Sequence, residues 1–293
     1  MNVHSKRYGD AITIRLSGGL GNQMFQFAFG AALAGDRRLL FDVSALGLSH
    51  SRPFALDCFG LDLEFSRFPL IARSVTAVPG MWRWMDAFRH SLRVPGGRLI
   101  WDLMKGFDPR WSELTGNIYA VGYWQDERYF QSISDRIRRH FSFSRPFTPE
   151  TDELLSLAKG AVGVQVRRGD YTNTSTSRVH PPQGVDFFIR SVKHLVDQHG
   201  SRRIIVATDD TTWAREHLDI PDLEIVFRSN DAPAWEDMLV LSRCDHVVIS
   251  NSSFGWWSAW LGGEGRSVVC PARWYGARGY DFQTPAVDHW TKI

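Results

Sequence analysis

Arg167 and Arg168, with Gly169 and Asp170 behind them, stand directly after the run Ala161–Val166. A short, mainly apolar run of this kind reads as a buried strand, so both arginines mark its exit. In open α/β sheets ligands bind outside the carboxyl ends of the strands. A guanidinium there offers a fork that matches phosphate, which makes gripping a phosphate or pyrophosphate the leading chemistry. Solvated surface is the ordinary reading of paired arginines, and Arg168-Gly169-Asp170 also spells an adhesion tripeptide that chance produces often. Position favours a ligand. Neighbours along a strand point to opposite faces, so this turn aims its charges around one rim.

Three further turns follow strand-like runs. Ser17–Gln26, SGGLGNQMFQ, joins a strand to a helix through glycines. Glycine permits close backbone approach, and the helix start offers free N–H groups to an anion. Met24 at the last position breaks the dinucleotide fingerprint, and a plain tight turn is the competing reading. Asn22 and Gln23 go beyond what such a turn needs, because amides at a helix start can both donate and accept. Asp209 and Asp210 end the run Ala207–Asp210. A metal reading lacks the D-x-D spacing, and Asp210 suits the cap of a helix from Thr211. Ile249–Trp257, ISNSSFGWW, presents Asn251, Ser252 and Ser253 where a helix start would receive phosphate. Glu236 and Asp237 open another helix; the macrodipole explains acids there, and a carboxylate could instead pair with the N1–H and amino group of guanine.

The chain has no G-x-S-x-G elbow, no H-E-x-x-H and no Walker lysine, and its ten histidines are scattered. No metal site is expected. Net charge is +2, which gives no polyanion-coating surface. Only five of the 34 basic residues are lysines, a bias that genome composition explains. Cys58, Cys244 and Cys270 lie far apart without a C-x-x-C pair, so a reducing compartment fits. No stretch reaches membrane-span length and the start lacks a signal-peptide core. A soluble, cytoplasmic protein is expected, with peripheral membrane contact left open.

The elements that must hold these turns follow from periodicity. Ala11–Leu16 predicts a strand, Asn22 to about Ala34 a helix with Gly35 as its stop, and Leu39–Val43 and Ile118–Tyr123 two strands. Prolines 53, 69, 79, 95 and 109 break the stretch between. Asp126–His140 predicts an amphipathic helix, and Ser144–Glu150 an interdomain connection. Beyond it, strands at Ala161–Val166, Arg203–Ala207, Leu223–Phe227, His246–Ser250 and Ser267–Cys270 alternate with helices at Asp186–His199, Thr211–His217, Ala234–Cys244 and Ser253–Leu261. Such alternation means crossover units on a parallel sheet, hence a Rossmann-like α/β domain.

Taken in order, GGLGNQMFQFAFGAALA, the Gly122–Phe130 segment GYWQDERYF, VQVRRGDY, the strand-end TDD and SNSSFGWWSAWL resemble the inverting α-1,2-fucosyltransferases of bacterial type. The likeness to the α-1,6- and protein O-fucosyltransferases is more distant. The resemblance covers essentially the whole chain. It implies a GT-B-type α/β fold of two Rossmann-like domains facing a cleft, an acceptor-side domain over 1–145 and a GDP-fucose-binding domain over 150–293. It implies GDP-β-L-fucose as donor, an α-1,2 link to a terminal galactose of a glycan, no metal and no cofactor. By the same likeness Arg167 grips the diphosphate and assists its departure, Ser252 and Ser253 hold the phosphates, Asp237 reads guanine, and Asn22 lies near the transferred sugar and acceptor. Gly19, Gly21, Asn251 and Phe254 count with the donor site. Asp170 is the candidate general base, ahead of Asp209 and Asp210. Gln165 departs from the pattern, since many relatives carry a base-contacting His there. Gln still donates and accepts, but it does not titrate. Acceptor choice is expected in the Pro- and Trp-rich stretch from Phe54 to Trp111. A different linkage or acceptor, or a binding module without turnover, are the alternatives.

Overall fold

The computed structural model describes residues 10–47, 52–66, 91–94, 96–102, 106–172, 174–229, 231–277 and 283–293. The chain's polar start and much of the stretch expected to set acceptor choice lie outside these residues. The chain divides into two units, one of residues up to Asp57 with Leu61–His140, the other of Cys58–Gly60 with Phe141–Ile293.

In the first unit β1 (Ala11–Arg15) leads through the glycine turn into α1 (Leu20–Ala34) and β2 (Arg38–Asp42). Then come β3 (Glu64–Phe65), β4 (Ser91–Val94), β5 (Gly97–Trp101), β6 (Ile118–Val121) and α2 (Ser134–His140). The sheet order is β3-β2-β1-β6-β5-β4. Every pairing is parallel except the β4–β5 hairpin. This hairpin lies in the stretch whose prolines hid it from periodicity. α1 begins two residues before Asn22 and is buried along nearly its whole length. The helix expected over Asp126–His140 is helical only from Ser134, with 3₁₀ turns at Glu127–Tyr129 and Gln131–Ile133 ahead of it. The cause is local. Asp126 accepts from its own neighbour, the Arg128 N–H, at 2.9 Å, a side-chain bond that competes with the helical one.

The second unit opens with α3 (Pro149–Leu157), capped by the Thr148 hydroxyl. Proline at the first helical turn lacks only an N–H that would have been unpaired. β7 (Ala161–Val166), α4 (Thr174–Ser177), α5 (Val185–His199), β8 (Arg203–Thr208), α6 (Thr211–His217) and β9 (Glu224–Phe227) follow. The unit continues with α7 (Ala234–Arg243), β10 (His246–Ile249), α8 (Ser253–Trp260), β11 (Val268–Cys270) and β12 (Thr291–Lys292). Its sheet is wholly parallel, in the order β12-β11-β10-β7-β8-β9. β7 is buried on both faces. Val162, Val164 and Val166 pack with Phe188, Val192 and Leu195 of α5 and with Val206 and Val248 of the flanking strands. Each such side chain contributes roughly 1.5–3 kcal/mol on burial.

In the first sheet β1 and β6, far apart in sequence, lie side by side. In the second the chain reverses its direction of winding between β7 and β10. The crevice outside the strand ends at such a point is where open α/β sheets take ligands. All four turns leaving these strands come from the segments singled out above.

Candidate functional site

In the second unit, β7 and β10 run parallel in register from His246 opposite Val162 to Ile249 opposite Gln165. Arg167 therefore emerges beside the chain entering α8. Ser250 stitches the two exits together: its hydroxyl donates to the Gln165 carbonyl and accepts from the Arg167 N–H, both at 3.0 Å.

The Arg167 guanidinium is held by two carboxylates. Nη2 reaches Asp170 Oδ1 at 2.5 Å and Nη1 reaches Asp209 Oδ2 at 2.7 Å. Asp209 is itself anchored, since its other oxygen accepts the N–H of Arg168 at 2.8 Å and of Gly169 at 3.2 Å. Asp210 caps α6 by accepting from the Trp213 N–H at 3.1 Å, as its position after the strand predicts. It also pairs with Arg168 Nε at 3.2 Å, while the Arg168 guanidinium lies 3.9 Å over the Trp213 ring. Arg168 thus braces α6 and Arg167 is the fork at the rim. No group of three or more His, Cys, Asp or Glu side chains poised for a metal ion occurs among the described residues.

Tyr171 joins the two arms. Its ring lies 5.6 Å from the Arg167 guanidinium and stacks on His180 at 5.3 Å. Its hydroxyl donates to the Asn251 carbonyl at 3.2 Å. Burial pushes the phenol up to about 12, so it stays a proton donor at neutral pH. Burial also holds the His180 imidazole below its usual range, which keeps it neutral there.

At α8 the cap is Ser252, whose hydroxyl accepts the Phe254 N–H at 3.3 Å. Ser253 and Phe254 form the partly exposed first turn. Asn251 is different. Its amide donates to the carbonyls of Pro181 and Trp274 and accepts from Gln183, and the residue is 1% exposed. Its side chain holds the loop before α5 rather than facing outward. Gln165 also turns inward: its Oε1 accepts the Ser250 N–H at 3.1 Å. The position thus braces the α8 entry.

Asp237, on the first turns of α7, forms an ion pair with the buried Arg228, which also bonds Glu236. Thr148 and Thr151 donate to Glu236 from the α3 side. Asp237 is 21% exposed and burial pushes its carboxyl up to about 7, outweighing the attraction of Arg228, with Glu150 and Glu236 adding to the rise. Arg228 had no signal in the sequence. It sits at the end of β9, nine residues before its partner.

In the first unit, Gly18 and Gly19 open the turn before α1. Gly18 has φ +74, and a Cβ there would lie 2.5 Å from Asn22 Nδ2, so the turn needs glycine on both counts. Gln23, paired with Asn22 as a candidate ligand amide, is fully buried instead. It donates to the Gly18 and Pro53 carbonyls and accepts from the Ala55 N–H. Asn22 is the partly exposed amide, and its Oδ1 accepts from Gln125 Nε2 at 2.8 Å. Gly21 is buried under the helix start.

Comparison with known proteins bears on what these sites do. The model of glycosyl transferase family 11 matches residues 102–292. The chain is similar to an alpha-1,2-colitosyltransferase of Escherichia coli, 27% identical over 308 residues that cover 96% of this chain and 98% of that one. It is also similar to human galactoside alpha-(1,2)-fucosyltransferase 1, 25% identical over 270 residues covering 86% of this chain and 65% of the relative. Among solved structures, NodZ alpha-1,6-fucosyltransferase of Bradyrhizobium, soaked with GDP-fucose, shares the fold with a TM-score of 0.51 and 15% identity, over 86% of this chain and 92% of that one.

Proposed function

The chain belongs to glycosyl transferase family 11, and from that premise we propose that it transfers L-fucose from GDP-β-L-fucose, with inversion, to the 2-hydroxyl of a terminal galactose on a glycan. The observation that carries the reading is the pairing, at the β7–β10 reversal, of the Arg167 fork with the start of α8. The names of the relatives support the donor class and the linkage. The GT-B arrangement is part of the same proposal.

In this reading the acceptor oxygen bonds to fucose C1 as the bond from C1 to the β-phosphate oxygen breaks. The electron pair leaves with GDP, and the hydroxyl proton goes to a base. Negative charge grows on the diphosphate, and preorganised donors aimed at it lower the barrier. Each terminal nitrogen of Arg167 carries a second N–H beyond its bond to Asp170 or Asp209. The first-turn N–H groups of α8 and the Ser253 hydroxyl supply the rest. Asp209, held by three donors, is the anchor that aims Arg167. Asp170, 41% exposed against 27% for Asp209, is the better placed base. Asp237 accepts the guanine N1–H and amino group, and Asn22 donates to a substrate oxygen. No metal enters these steps.

The likeness to a colitosyltransferase favours one second reading, a donor carrying a different deoxy sugar. No described helix is long and apolar enough to cross a membrane, which supports action in the cytoplasm on a polysaccharide precursor, with peripheral membrane contact compatible. An acceptor array with GDP-fucose, with and without EDTA, followed by linkage analysis tests the proposal. An α-1,2-fucosylated galactoside formed equally in EDTA is expected. GDP binding without turnover on any acceptor would leave a binding module, and loss of activity in EDTA would overturn the metal-free step.

A further inference from the structure

The segment GYWQDERYF forms the exit of β6, which lies beside β1 at the middle of the first sheet. Arg15 of β1 and Val121 of β6 lie opposite each other in register, so the glycine turn and Gly122–Gln125 leave the sheet side by side. The Gln26 amide ties them together. It donates to the Gly122 carbonyl at 2.7 Å and to the Ser17 hydroxyl at 3.0 Å, and it accepts the Ser17 N–H at 3.0 Å.

The β6 exit is held in a costly shape. Trp124 has φ +46, a left-handed conformation that is rare for a bulky residue and costs roughly 1–2 kcal/mol. Gly122 has φ +150, and a Cβ there would lie 2.5 Å from Asp102 Cβ. Asp102 Oδ2 accepts the Trp124 N–H at 2.8 Å, and the buried Trp124 ring stacks on Phe29 of α1 at 4.2 Å with 3° between planes. Strain of this kind persists only where surroundings over-determine it, and it gathers at functional sites. The residue it delivers is Gln125, whose Nε2 donates to Asn22 Oδ1. An amide has one donor end and one acceptor end. With Oδ1 turned to Gln125, Asn22 has its Nδ2 beside Gly18, where it makes no hydrogen bond among the described residues.

We infer that Gln125 is a positioning residue for the transfer: by donating to Asn22 Oδ1 from the strained β6 exit, it makes Asn22 present N–H donors, and not an acceptor, to a substrate oxygen. The inference rests on the proposed role of Asn22 and extends it to a residue that need not touch substrate. It separates two substitutions that a merely structural role would rank the other way round. Gln125→Glu keeps a hydrogen bond but can only accept, so Asn22 turns its Nδ2 inward and faces substrate with oxygen. Gln125→Ala removes the bond and leaves Asn22 able to rotate to either face.

The experiment measures kcat and KM for GDP-fucose, together with melting temperature, for the full chain and for Asn22→Ala, Asn22→Asp, Gln125→Ala and Gln125→Glu. Asn22→Asp keeps the bond from Gln125 while replacing the outward donor by oxygen, and it covers the case in which Gln125→Glu does not fold. The expected result is a kcat loss of roughly tenfold to a hundredfold in Asn22→Ala, Asn22→Asp and Gln125→Glu, with a smaller loss in Gln125→Ala and little change in KM. Melting temperature should fall most in Gln125→Ala. A wild-type kcat in Gln125→Glu or Asn22→Asp, with Asn22→Ala impaired, overturns the positioning role and leaves the reading of Asn22 standing. A wild-type kcat in Asn22→Ala removes both.

Discussion

In the proposed reaction, diphosphate binding and bond breaking converge on one side chain, Arg167, and its surroundings explain why a lysine would not serve. Two carboxylates grip opposite terminal nitrogens of the guanidinium, Asp170 on one and Asp209 on the other. An ammonium has no such planar fork. Arg167→Ala should therefore lower kcat by ~10²–10³, and Arg167→Lys should recover little of it, with melting temperatures near the wild type in both. Steady-state kinetics on GDP-fucose check this, and wild-type turnover in either variant would remove the assignment. Asp237 carries a second prediction. Its carboxyl lies near 7, facing Arg228, Glu150 and Glu236. Below that pH it is protonated and accepts less well; above it, the carboxylate can take two N–H groups of the base. Affinity for GDP should weaken as pH falls through 7, by up to about tenfold per pH unit. Asp237→Asn should remove both that dependence and the preference for GDP over inosine diphosphate, which lacks the 2-amino group. Calorimetry across pH 5.5–8.5, a range chosen at roughly 1.5 units around the expected midpoint, reads both effects.

The turns between elements decide which of the candidate residues face outward. Ser252 caps α8, so Ser252→Ala should cost about 0.5–2 kcal/mol of stability as well as disturbing the turn proposed to meet phosphate. Gly18→Ala should cost roughly 1–2 kcal/mol for its left-handed φ and push Asn22 aside. Urea unfolding midpoints check both; an unchanged midpoint in Gly18→Ala would mean the turn is not built as described. These turns also mark the limit of what could be read beforehand. The strands Ala161–Val166, Arg203–Thr208 and His246–Ile249 were legible because continuous apolar runs between helices have few other fates. The Arg167 exit was legible for the same reason. Which member of an amide pair points inward was not: Asn22 and Gln23 are equivalent by type, and only the carbonyls of Gly18 and Pro53 decide that Gln23 is buried. Nor was the inward turn of Asn251 and Gln165 legible, since their partners Trp274 and Ser250 are fixed by tertiary packing. Arg228 and Gln125 act through contacts across strand ends, which no local spacing announces. The α3 helix was missed because Pro149 fell in the expected connection Ser144–Glu150, where it in fact opens a helix.

Across the chain, a related device occurs in both units: a mainly parallel sheet whose two central strands, distant in sequence, send paired turns out from their ends. In the second unit the pair is the arginine turn and the α8 entry, joined by Ser250 and Tyr171. In the first it is the glycine turn and the strained Trp124 exit, joined by Gln26 and by Asn22 with Gln125. The division of labour proposed here gives the nucleotide to one and a substrate oxygen to the other. All of it depends on Arg167 and the α8 start holding one diphosphate together. Calorimetry of GDP and GMP binding to the wild-type chain and to Arg167→Ala isolates that contribution, because the two ligands differ only in the β-phosphate. The prediction is that the wild type prefers GDP by roughly tenfold to a hundredfold and that Arg167→Ala loses this preference while its affinity for GMP changes little. An undiminished preference for GDP in Arg167→Ala would contradict it.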